Sequence, residues 1–552
     1  MNHSNKAFND AYNAWQRGDY ALTSSLLDGL DSAEALHLRG LAARRLGQRD
    51  LARSSLTAAR VKDPGNAEIH HNFALLELDA EAYDQALIAV TQALELRPNW
   101  TAALRTQGRT FLALGNWRKA DAVYQYLVDQ NATDSVARYG LANVWLELGR
   151  AEEALAAFDQ LLAEGMTDPS CYFMRARAHQ VLGHAQRART DFELALKLQP
   201  SVLFLRETAR HLWTMNKSAA FERLLLQPYN ETSLQLCAAE LLRQGGSYHL
   251  VSKVLSDQPE SAEALATRAW ACIEQDRNEQ AVELSKQALS YDQKHARASA
   301  AIITALCAID QAAAAQPHID EMRQREPLAQ HWIAYQLMVW RLLDNPQYQQ
   351  WMDYEDLIQI YELPLPDGYA SILDFNSQLE TALLGLHNLE QHPIDQSLRG
   401  GSQTRRDLEL EQAPAITAYL KAIDVPIQNY MQHIGTQADH PLCARNTGKY
   451  KIAGCWSVKL NGGGHHVNHV HPEGWISSAY YVTVPASDEK TRSGWINFGE
   501  PAYATKPASP CERSIQPVAG QLVLFPSYLW HGTNPVIGDE LRLTAPFDVV
   551  PA

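Results

Sequence analysis

The sequence predicts two domains of different class: an N-terminal α-helical solenoid over residues 1–345 and a C-terminal domain of short β-strands, a sandwich or double-stranded β-helix (jelly roll), over residues 375–552. Small residues recur every 34 positions through the first part of the chain, which is typical of stacked helix pairs. From Tyr450 onward, apolar residues alternate with a period of two, which is typical of strands. Between the two parts, residues 346–374 carry three prolines that interrupt helical continuity, and we interpret them as a junction.

Composition excludes several functional classes. The 552-residue chain has a formal net charge of −15, and nucleic-acid binding requires basic surface, so we expect no nucleic-acid partner. The sequence contains no run of about 18 apolar residues, and its N-terminus lacks the pattern of a signal peptide, so we expect no membrane association. The seven cysteines are odd in number and scattered, which favours reduced thiols in the cytoplasm.

The 34-residue period is marked by residues that let helices end or approach closely. Glycines at this spacing end one helix, and alanines at this spacing allow the next helix to pack tightly. The glycines are Gly115, Gly149 and Gly183, and the alanines are Ala52, Ala86, Ala120, Ala154 and Ala188. The period blurs after residue 200 and returns near Ala281, and we expect helices throughout.

This pattern resembles the tetratricopeptide repeat. A small residue opens each close contact, as at Gly108, and a large one fills the space beside the alanine, as at Tyr124, Phe158 and Phe192. Each helix pair buries its apolar face only by stacking on its neighbours. The resemblance implies a groove that holds a peptide or another protein; the alternative is a scaffold that only covers the second domain.

A second pattern concerns histidines near the C-terminus. His469 and His471 lie two positions apart and would share a face if the segment is extended. His531 follows a strand-like run, "QLVLFP", and Arg542 lies in another alternating run. We interpret the three histidines as a metal site accompanied by an anion-binding arginine.

Four motifs around these residues resemble the iron(II)- and 2-oxoglutarate-dependent oxygenases. They are "QSLRGGSQT" at 396–404, "HVHPEGWISSAYYVTVP" at 469–485, "GWINFGEP" at 494–501 and "LVLFPSYLWHGTNP" at 522–535. The resemblance implies Fe(II) held by His469 and His531, with 2-oxoglutarate as cosubstrate bound through its far carboxylate by Arg542. It also implies ascorbate as an optional reductant.

The third metal ligand departs from the family pattern, which usually has an acidic residue two positions after the first histidine. Here that position is His471, and Glu473 lies two further on. Three readings remain: His471 binds the metal, Glu473 reaches in instead, or water takes the third place. We favour His471, because imidazole binds iron well. His465 and His466 lie in a glycine-rich stretch, where we expect an exposed loop.

Other polar residues are candidates for cosubstrate, substrate or supporting contacts. Ser457 is predicted to hydrogen-bond the far carboxylate of 2-oxoglutarate together with the arginine. Arg399 and Gln403 belong to a stretch whose glycines imply a tight loop, which either contacts substrate at the mouth of the site or braces the sheet. Tyr480 and Asn497 are candidates for contacts with substrate or with the ligands, although ordinary sheet packing explains them equally well.

Taken together, these patterns predict a dioxygenase that hydroxylates a side chain of a peptide or protein held by the repeats. One alternative is a repeat scaffold whose oxygenase-like domain is not catalytic. Another is a cupin-type metalloenzyme, which uses a similar histidine pattern but needs neither 2-oxoglutarate nor Arg542.

Overall fold

The computed structural model describes residues 3–387, 389, 391–404 and 407–552. By its internal contacts the chain divides into two compact units, residues 1–195 and 196–552. The second unit therefore contains the later helices of the repeat region together with the strands. The predicted boundaries at 345 and 375 stay a prediction.

The first unit consists of helices that pack in consecutive pairs. Their bounds are α1 His3–Gln16, α2 Tyr20–Leu26, α3 Ala33–Arg45, α4 Arg49–Lys62, α5 Ala67–Asp79, α6 Tyr83–Leu96, α7 Thr101–Ala113, α8 Trp117–Gln130, α9 Ser135–Glu147, α10 Ala151–Ala163, α11 Pro169–Val181 and α12 Ala185–Leu198, the last of which runs across the division between the units. The first helices of the pairs from α3 to α11 begin at 34-residue intervals, as the sequence predicts.

The repeat residues act as their positions predict. Gly115 has a φ of 70°, a left-handed conformation that ends α7 without the penalty a side chain would impose. Ala120 is fully buried, and Tyr124 fills the space beside it. A Cβ placed on Gly108 would lie 2.7 Å from the Tyr124 ring, so any side chain at that crossing would have to displace the ring.

In the second unit the helix pairs continue without the strict period. Their bounds are α13 Val202–Thr214, α14 Ser218–Leu225, α15 Thr232–Gln244, α16 Tyr248–Val254, α17 Ala262–Ile273, α18 Asn278–Tyr291, α19 Ala296–Ala308, α20 Ala312–Arg325 and α21 Gln330–Leu342. The blurred part of the sequence is therefore helical, as expected. Shorter helices follow in the junction, α22 Gln347–Trp351 and α23 Tyr354–Leu357, and then α24 Ile372–Leu384, α25 Pro414–Ala422 and α26 Asp424–Ile434.

Eleven strands form two antiparallel sheets within the described residues. Their bounds are β1 Gln359–Glu362, β2 Leu398–Gln403, β3 Tyr450–Cys455, β4 Val458–His466, β5 Ile476–Thr483, β6 Ile496–Phe498, β7 Arg513–Ile515, β8 Gln521–Pro526, β9 His531–Thr533, β10 Arg542–Thr544 and β11 Phe547–Pro551. The larger sheet has the order β1-β8-β5-β10-β4-β2, with β11 pairing both β3 and β5, and the smaller sheet has the order β7-β6-β9.

Two predictions for this region were wrong in local detail. The glycine-rich stretch around Arg399 is not a loop but the edge strand β2, which pairs with β4. A Cβ on Gly401 would collide with the carbonyl oxygen of Lys459, so the glycines permit the close approach of the two backbones. His465 and His466 end strand β4 and are half-buried, instead of lying in an exposed loop.

One hydrophobic core joins the sheet to the helices on both sides of the junction. Phe375 of α24, Tyr419 of α25 and Ile427 of α26 pack against apolar residues of the larger sheet. The same core includes Ile333 and Leu337 of α21, a helix of the repeat region. The last repeat and the sheet thus share one continuous interior.

Polar contacts reinforce this packing. Arg341 of α21 donates to the carbonyl oxygens of Gly499 and Pro510 at 2.9 and 2.8 Å. The Trp213 indole of α13 donates to the carbonyl oxygen of His392 at 2.8 Å. These bonds, far apart along α13–α21, fix the later repeats against the strand-rich part of the second unit. None of the helices that the structure describes is long and apolar enough to cross a membrane.

Candidate metal centre

The backbone brings the three candidate ligands together. His469 and His531 exchange both backbone hydrogen bonds, N to O at 2.9 and 3.0 Å, and form an isolated antiparallel bridge. The backbone N–H of His471 donates to the carbonyl oxygen of Ser527 at 2.9 Å. Because residues two apart in extended chain project to the same side, His469 and His471 face the side on which His531 also projects. Residues far apart in sequence are thereby placed within one cluster.

Each of these histidines is oriented by a hydrogen bond at Nδ1. His469 Nδ1 lies 2.9 Å from the carbonyl oxygen of Val467, and His531 Nδ1 lies 2.8 Å from that of Leu529. His471 Nδ1 lies 2.6 and 2.9 Å from the two carboxylate oxygens of Asp548. Since each acceptor requires a proton on Nδ1, the three Nε2 atoms are left with lone pairs.

The lone pairs converge as metal ligands do. The ligand nitrogens of the three histidines lie within 4.8 Å of one another, and no other such group of histidine, cysteine or acidic residues occurs within the part of the chain that the structure describes. The Nε2 atoms of His469 and His471 are 3.1 Å apart. Two nitrogens bound at right angles to one metal ion at about 2.1 Å would be about 3.0 Å apart. The donor set therefore fits a divalent first-row metal such as Fe(II).

The surroundings keep the imidazoles of His469 and His531 neutral. Burial, together with the neighbouring His471, lowers the pKa of His469 to about 3. Burial likewise holds the pKa of His531 well below its usual range. The Trp456 ring stacks on His471 with centroids 5.9 Å apart and an interplanar angle of 28°. A neutral imidazole is the form that binds a metal, so the environment favours ligation.

Arg542 is a buried cation beside the histidines. Its side chain is buried, with 2% of the residue exposed, and its Nε donates to the carbonyl oxygen of Gly494 at 3.1 Å. The guanidinium carbon lies 5.3 Å from the centroid of the Tyr481 ring. Within the described ranges no carboxylate forms an ion pair with it, and burial lowers its pKa. A buried cation without a counter-charge provides a place for an anionic ligand.

The histidines and Arg542 open on one cavity of about 680 Å³. Its lining includes Ser397, Arg399, Gln403, Trp456, His466, Ser478, Phe525, Thr544 and Asp548. Arg243 and Gln244, at the end of repeat helix α15, also line it. A cavity of this size accommodates a small dicarboxylate together with part of a larger substrate.

The remaining candidates from the sequence divide between the cavity and the sheet. Arg399 and Gln403 line the cavity. Ser457 does not line it: its hydroxyl donates to the carbonyl oxygen of Thr544 at 3.0 Å and lies 3.1 Å from His387 Nε2. The Tyr480 hydroxyl is buried against Asn376, to which it donates at 2.6 Å. Asn497 is held by Asn534 and Ser514 in the smaller sheet.

The structure distinguishes the two side chains considered for the third metal ligand, His471 and Glu473. Glu473 lines the cavity but is exposed, and it is not part of the histidine cluster. The negative charge of Glu473 opposes the lowering of the His331 pKa that burial causes in α21. The position of His471 beside His469 favours the histidine as third ligand.

Several residues that line the cavity were not found from the sequence. Asp548, which orients His471, is an acidic residue inside the apolar strand β11, and that contrast was the available signal. The Ser397 hydroxyl lies 2.9 Å from His466 Nδ1 and 3.2 Å from His469 Nε2. Arg243 belongs to a repeat helix, and no local pattern links it to the cavity.

Comparisons with known proteins agree with this geometry. The family described as "Putative 2OG-Fe(II) oxygenase" matches residues 454–548, which include all three histidines and Arg542. Tetratricopeptide-repeat models match residues 37–100, 105–169, 169–202 and 262–295. No curated protein is significantly similar to the chain.

Several solved structures match parts of the chain at low similarity. A tetratricopeptide repeat protein from Parabacteroides merdae is 18% identical, with a TM-score of 0.32, over 54% of this chain and 97% of its own. PilF from Pseudomonas aeruginosa is 16% identical, with a TM-score of 0.32, over 37% of this chain and 95% of its own. A MamA structure is 19% identical, with a TM-score of 0.27, over 30% of this chain and 93% of its own.

The family matches and the fold thus give one assignment for each part of the sequence. The chain carries tetratricopeptide repeats in its N-terminal part and, at its C-terminus, a domain of the family described as "Putative 2OG-Fe(II) oxygenase".

Proposed function

We propose that the protein is an iron(II)- and 2-oxoglutarate-dependent dioxygenase that hydroxylates a side chain of a polypeptide held by the repeats. The observation that carries the proposal is the shared cavity, in which three oriented imidazoles lie with a buried arginine that has no carboxylate partner. We further propose that the antiparallel sheets form the double-stranded β-helix typical of such enzymes.

His469, His471 and His531 would hold Fe(II), and Arg542 would bind the far carboxylate of 2-oxoglutarate. When bound, Fe(II) and 2-oxoglutarate supply the oxidation: one atom of dioxygen enters succinate as carbon dioxide is lost, and the other becomes a hydroxyl group on the substrate. Asp548 keeps the proton of His471 on Nδ1 and its Nε2 lone pair toward the metal. Burial of Arg542 excludes water from the carboxylate and strengthens the ion pair.

The polypeptide substrate is supported by the contribution of the repeats to the cavity. Tetratricopeptide repeats generally mediate protein–protein interaction, and here α15 provides Arg243 and Gln244 to the cavity lining. Arg243 is held there by Glu240 and Glu274, at 2.8 and 3.0 Å. A chain bound along the later repeats would therefore reach the histidines without leaving the protein surface. We also propose a cytoplasmic location, which the seven free cysteines support.

The enzymatic proposal is tested by 2-oxoglutarate-dependent release of succinate from purified protein with Fe(II) and ascorbate in air. Wild type should release succinate, and His469→Ala and His531→Ala should not, because removing one of three ligands removes most of the metal affinity. Absence of 2-oxoglutarate-dependent succinate from the iron-loaded wild type would favour the non-catalytic scaffold. Metal-dependent turnover that does not require 2-oxoglutarate would favour the cupin alternative.

The substrate class needs a separate experiment on the full-length chain. A cut at residue 345 would divide the core that α21 shares with the sheet, so an isolated C-terminal fragment is a poor test. Instead, full-length wild type and His469→Ala are incubated with cell-lysate proteins, Fe(II) and 2-oxoglutarate, and mass spectrometry measures the gain of one oxygen. Oxidised polypeptides that require both 2-oxoglutarate and His469 support the proposal. Oxidation confined to free metabolites contradicts it.

A further inference from the structure

Arg399 is a cavity-lining cation whose charge is not matched by the protein. Its Nη1 donates to two backbone carbonyl oxygens of its own segment, those of Gln396 at 2.7 Å and Leu398 at 2.8 Å. Across the described ranges, no hydrogen bond or ion pair engages its Nε or Nη2. These two atoms form the edge of the guanidinium that pairs with both oxygens of a carboxylate.

Two other charged residues of the cavity already have partners of opposite charge within the protein. Arg243 is paired with Glu240 and Glu274. Asp395 is paired with Arg210 of α13.

Of the remaining carboxylates, Asp548 is hydrogen-bonded to His471. The exposed Glu473 interacts electrostatically with His331. Arg542 and Arg399 are left as the two unpaired arginines that line the cavity within the described chain. They differ in depth, because Arg542 is buried and Arg399 is half-buried.

The surroundings of Arg399 hold it in place without neutralising it. One negative group that acts on Arg399 is Glu274, whose two oxygens already accept from Arg243, Tyr503 and Tyr248 at 3.0, 2.9 and 3.3 Å. Partial burial lowers the pKa of Arg399, although Tyr248, Glu274 and Tyr503 oppose the shift. A half-buried, preorganised guanidinium loses little side-chain entropy on binding, which favours recognition of an anion.

We propose that Arg399 is a specificity-determining residue that binds the carboxylate of an acidic side chain on the polypeptide substrate. This inference rests on the proposed function, since it names the class of substrate for the same cavity. 2-Oxoglutarate has two carboxylate ends, of which one chelates the metal in this family and the other is assigned to Arg542. The second unpaired arginine therefore serves a different anion. The free Nε and Nη2 edge favours a planar carboxylate.

The test uses full-length protein and two matched peptide libraries, N-acetylated and C-amidated, with random flanking residues that exclude aspartate and glutamate. One library has aspartate or glutamate at its centre, and the other has asparagine or glutamine. We expect wild type to oxidise the acidic library at least about tenfold faster than the neutral one. In Arg399→Gln the preference should disappear, while the KM for 2-oxoglutarate and the affinity for Fe(II) stay at wild-type values. Arg399→Lys should retain part of the preference for the acidic library, because lysine keeps the positive charge but lacks the two parallel N–H donors of the guanidinium.

Arg445→Gln is the matched control. Arg445 is also half-buried, donates to a backbone carbonyl oxygen, that of Gly474 at 3.1 Å, and does not line the cavity. It should keep the acidic preference. Equal oxidation of both libraries, a preference that survives Arg399→Gln, or oxidation of neither library would each overturn the inference.

A raised KM for 2-oxoglutarate in Arg399→Gln would also overturn it, because the residue would then serve the cosubstrate. Failure of the proposed function is distinguished by the succinate assay without peptide, which does not involve Arg399.

Discussion

Replacing Asp548 tests whether His471 is a metal ligand held in position by its carboxylate. The two side chains are 15% and 14% exposed and meet at 2.6 Å, so their hydrogen bond is largely shielded from water. Removing the partner of a metal-bound histidine typically lowers metal affinity about 10- to 100-fold, which corresponds to about 1.4–2.7 kcal/mol. We therefore expect Asp548→Ala to weaken Fe(II) binding by that factor. Asp548→Asn should lose less, because its amide oxygen can still accept from Nδ1.

The measurement is Fe(II) affinity under anaerobic conditions, by competition with a chromogenic chelator. Asp407→Asn is the control: its carboxylate accepts from the backbone N–H of Cys455 at 3.1 Å and contacts none of the histidines. A thermal melt of each variant separates loss of the metal from loss of the fold. If Asp548→Ala binds Fe(II) within a factor of two of wild type, the argument that Asp548 holds His471 in position as a metal ligand fails.

Three further predictions concern the cosubstrate, the third ligand and the sheet. Arg542→Ala should raise the KM for 2-oxoglutarate about 30-fold or more with Fe(II) affinity nearly unchanged, since breaking a buried charged pair from one side costs about 2–5 kcal/mol; an unchanged KM contradicts the assignment. Glu473→Gln should leave Fe(II) affinity at the wild-type value, and a tenfold loss by the same competition assay would identify Glu473 as the ligand instead. Gly401→Ala should lower the melting temperature, by a destabilisation of about 1–3 kcal/mol, because the added Cβ meets the carbonyl oxygen of Lys459. Gly385→Ala, where the nearest such contact is 3.5 Å, is its control, and equal melting temperatures for the two variants would refute the argument.

The repeat helices were predictable because their signal is local and periodic. Each unit repeats the same spacing of small and large residues, so Ala120 and Tyr124 could be placed from sequence alone. The strands from Tyr450 onward were also predictable from their alternation, as in β5 and β8. Strand β2 was not predictable in this way, because its glycines suggest a tight loop, whereas they permit the close pairing with β4.

The site was predictable only where residues are close in sequence or have a distinctive chemistry. His469 and His471 share a face because they are two apart, and a late histidine followed by an arginine completes a recognisable pattern. The hydrogen bonds of Ser457 with Thr544 and His387 depend on three separate segments, so its neighbours could not be predicted. The same holds for Arg243, which reaches the cavity only because helices of the repeat region pack on the sheet.

The pairing of distant strands sets the order in which the protein can mature during synthesis. Strand β1 pairs with β8, Gln359 opposite Leu524, and the backbone of His469 is bonded to that of His531. A nascent chain that has not yet released His531 from the ribosome therefore lacks both a closed larger sheet and the third imidazole. The early repeats, whose contacts are local, fold long before that point. Iron loading is then a late event, and the apolar residues of α21 that pack on the sheet stay uncovered until the sheet has formed.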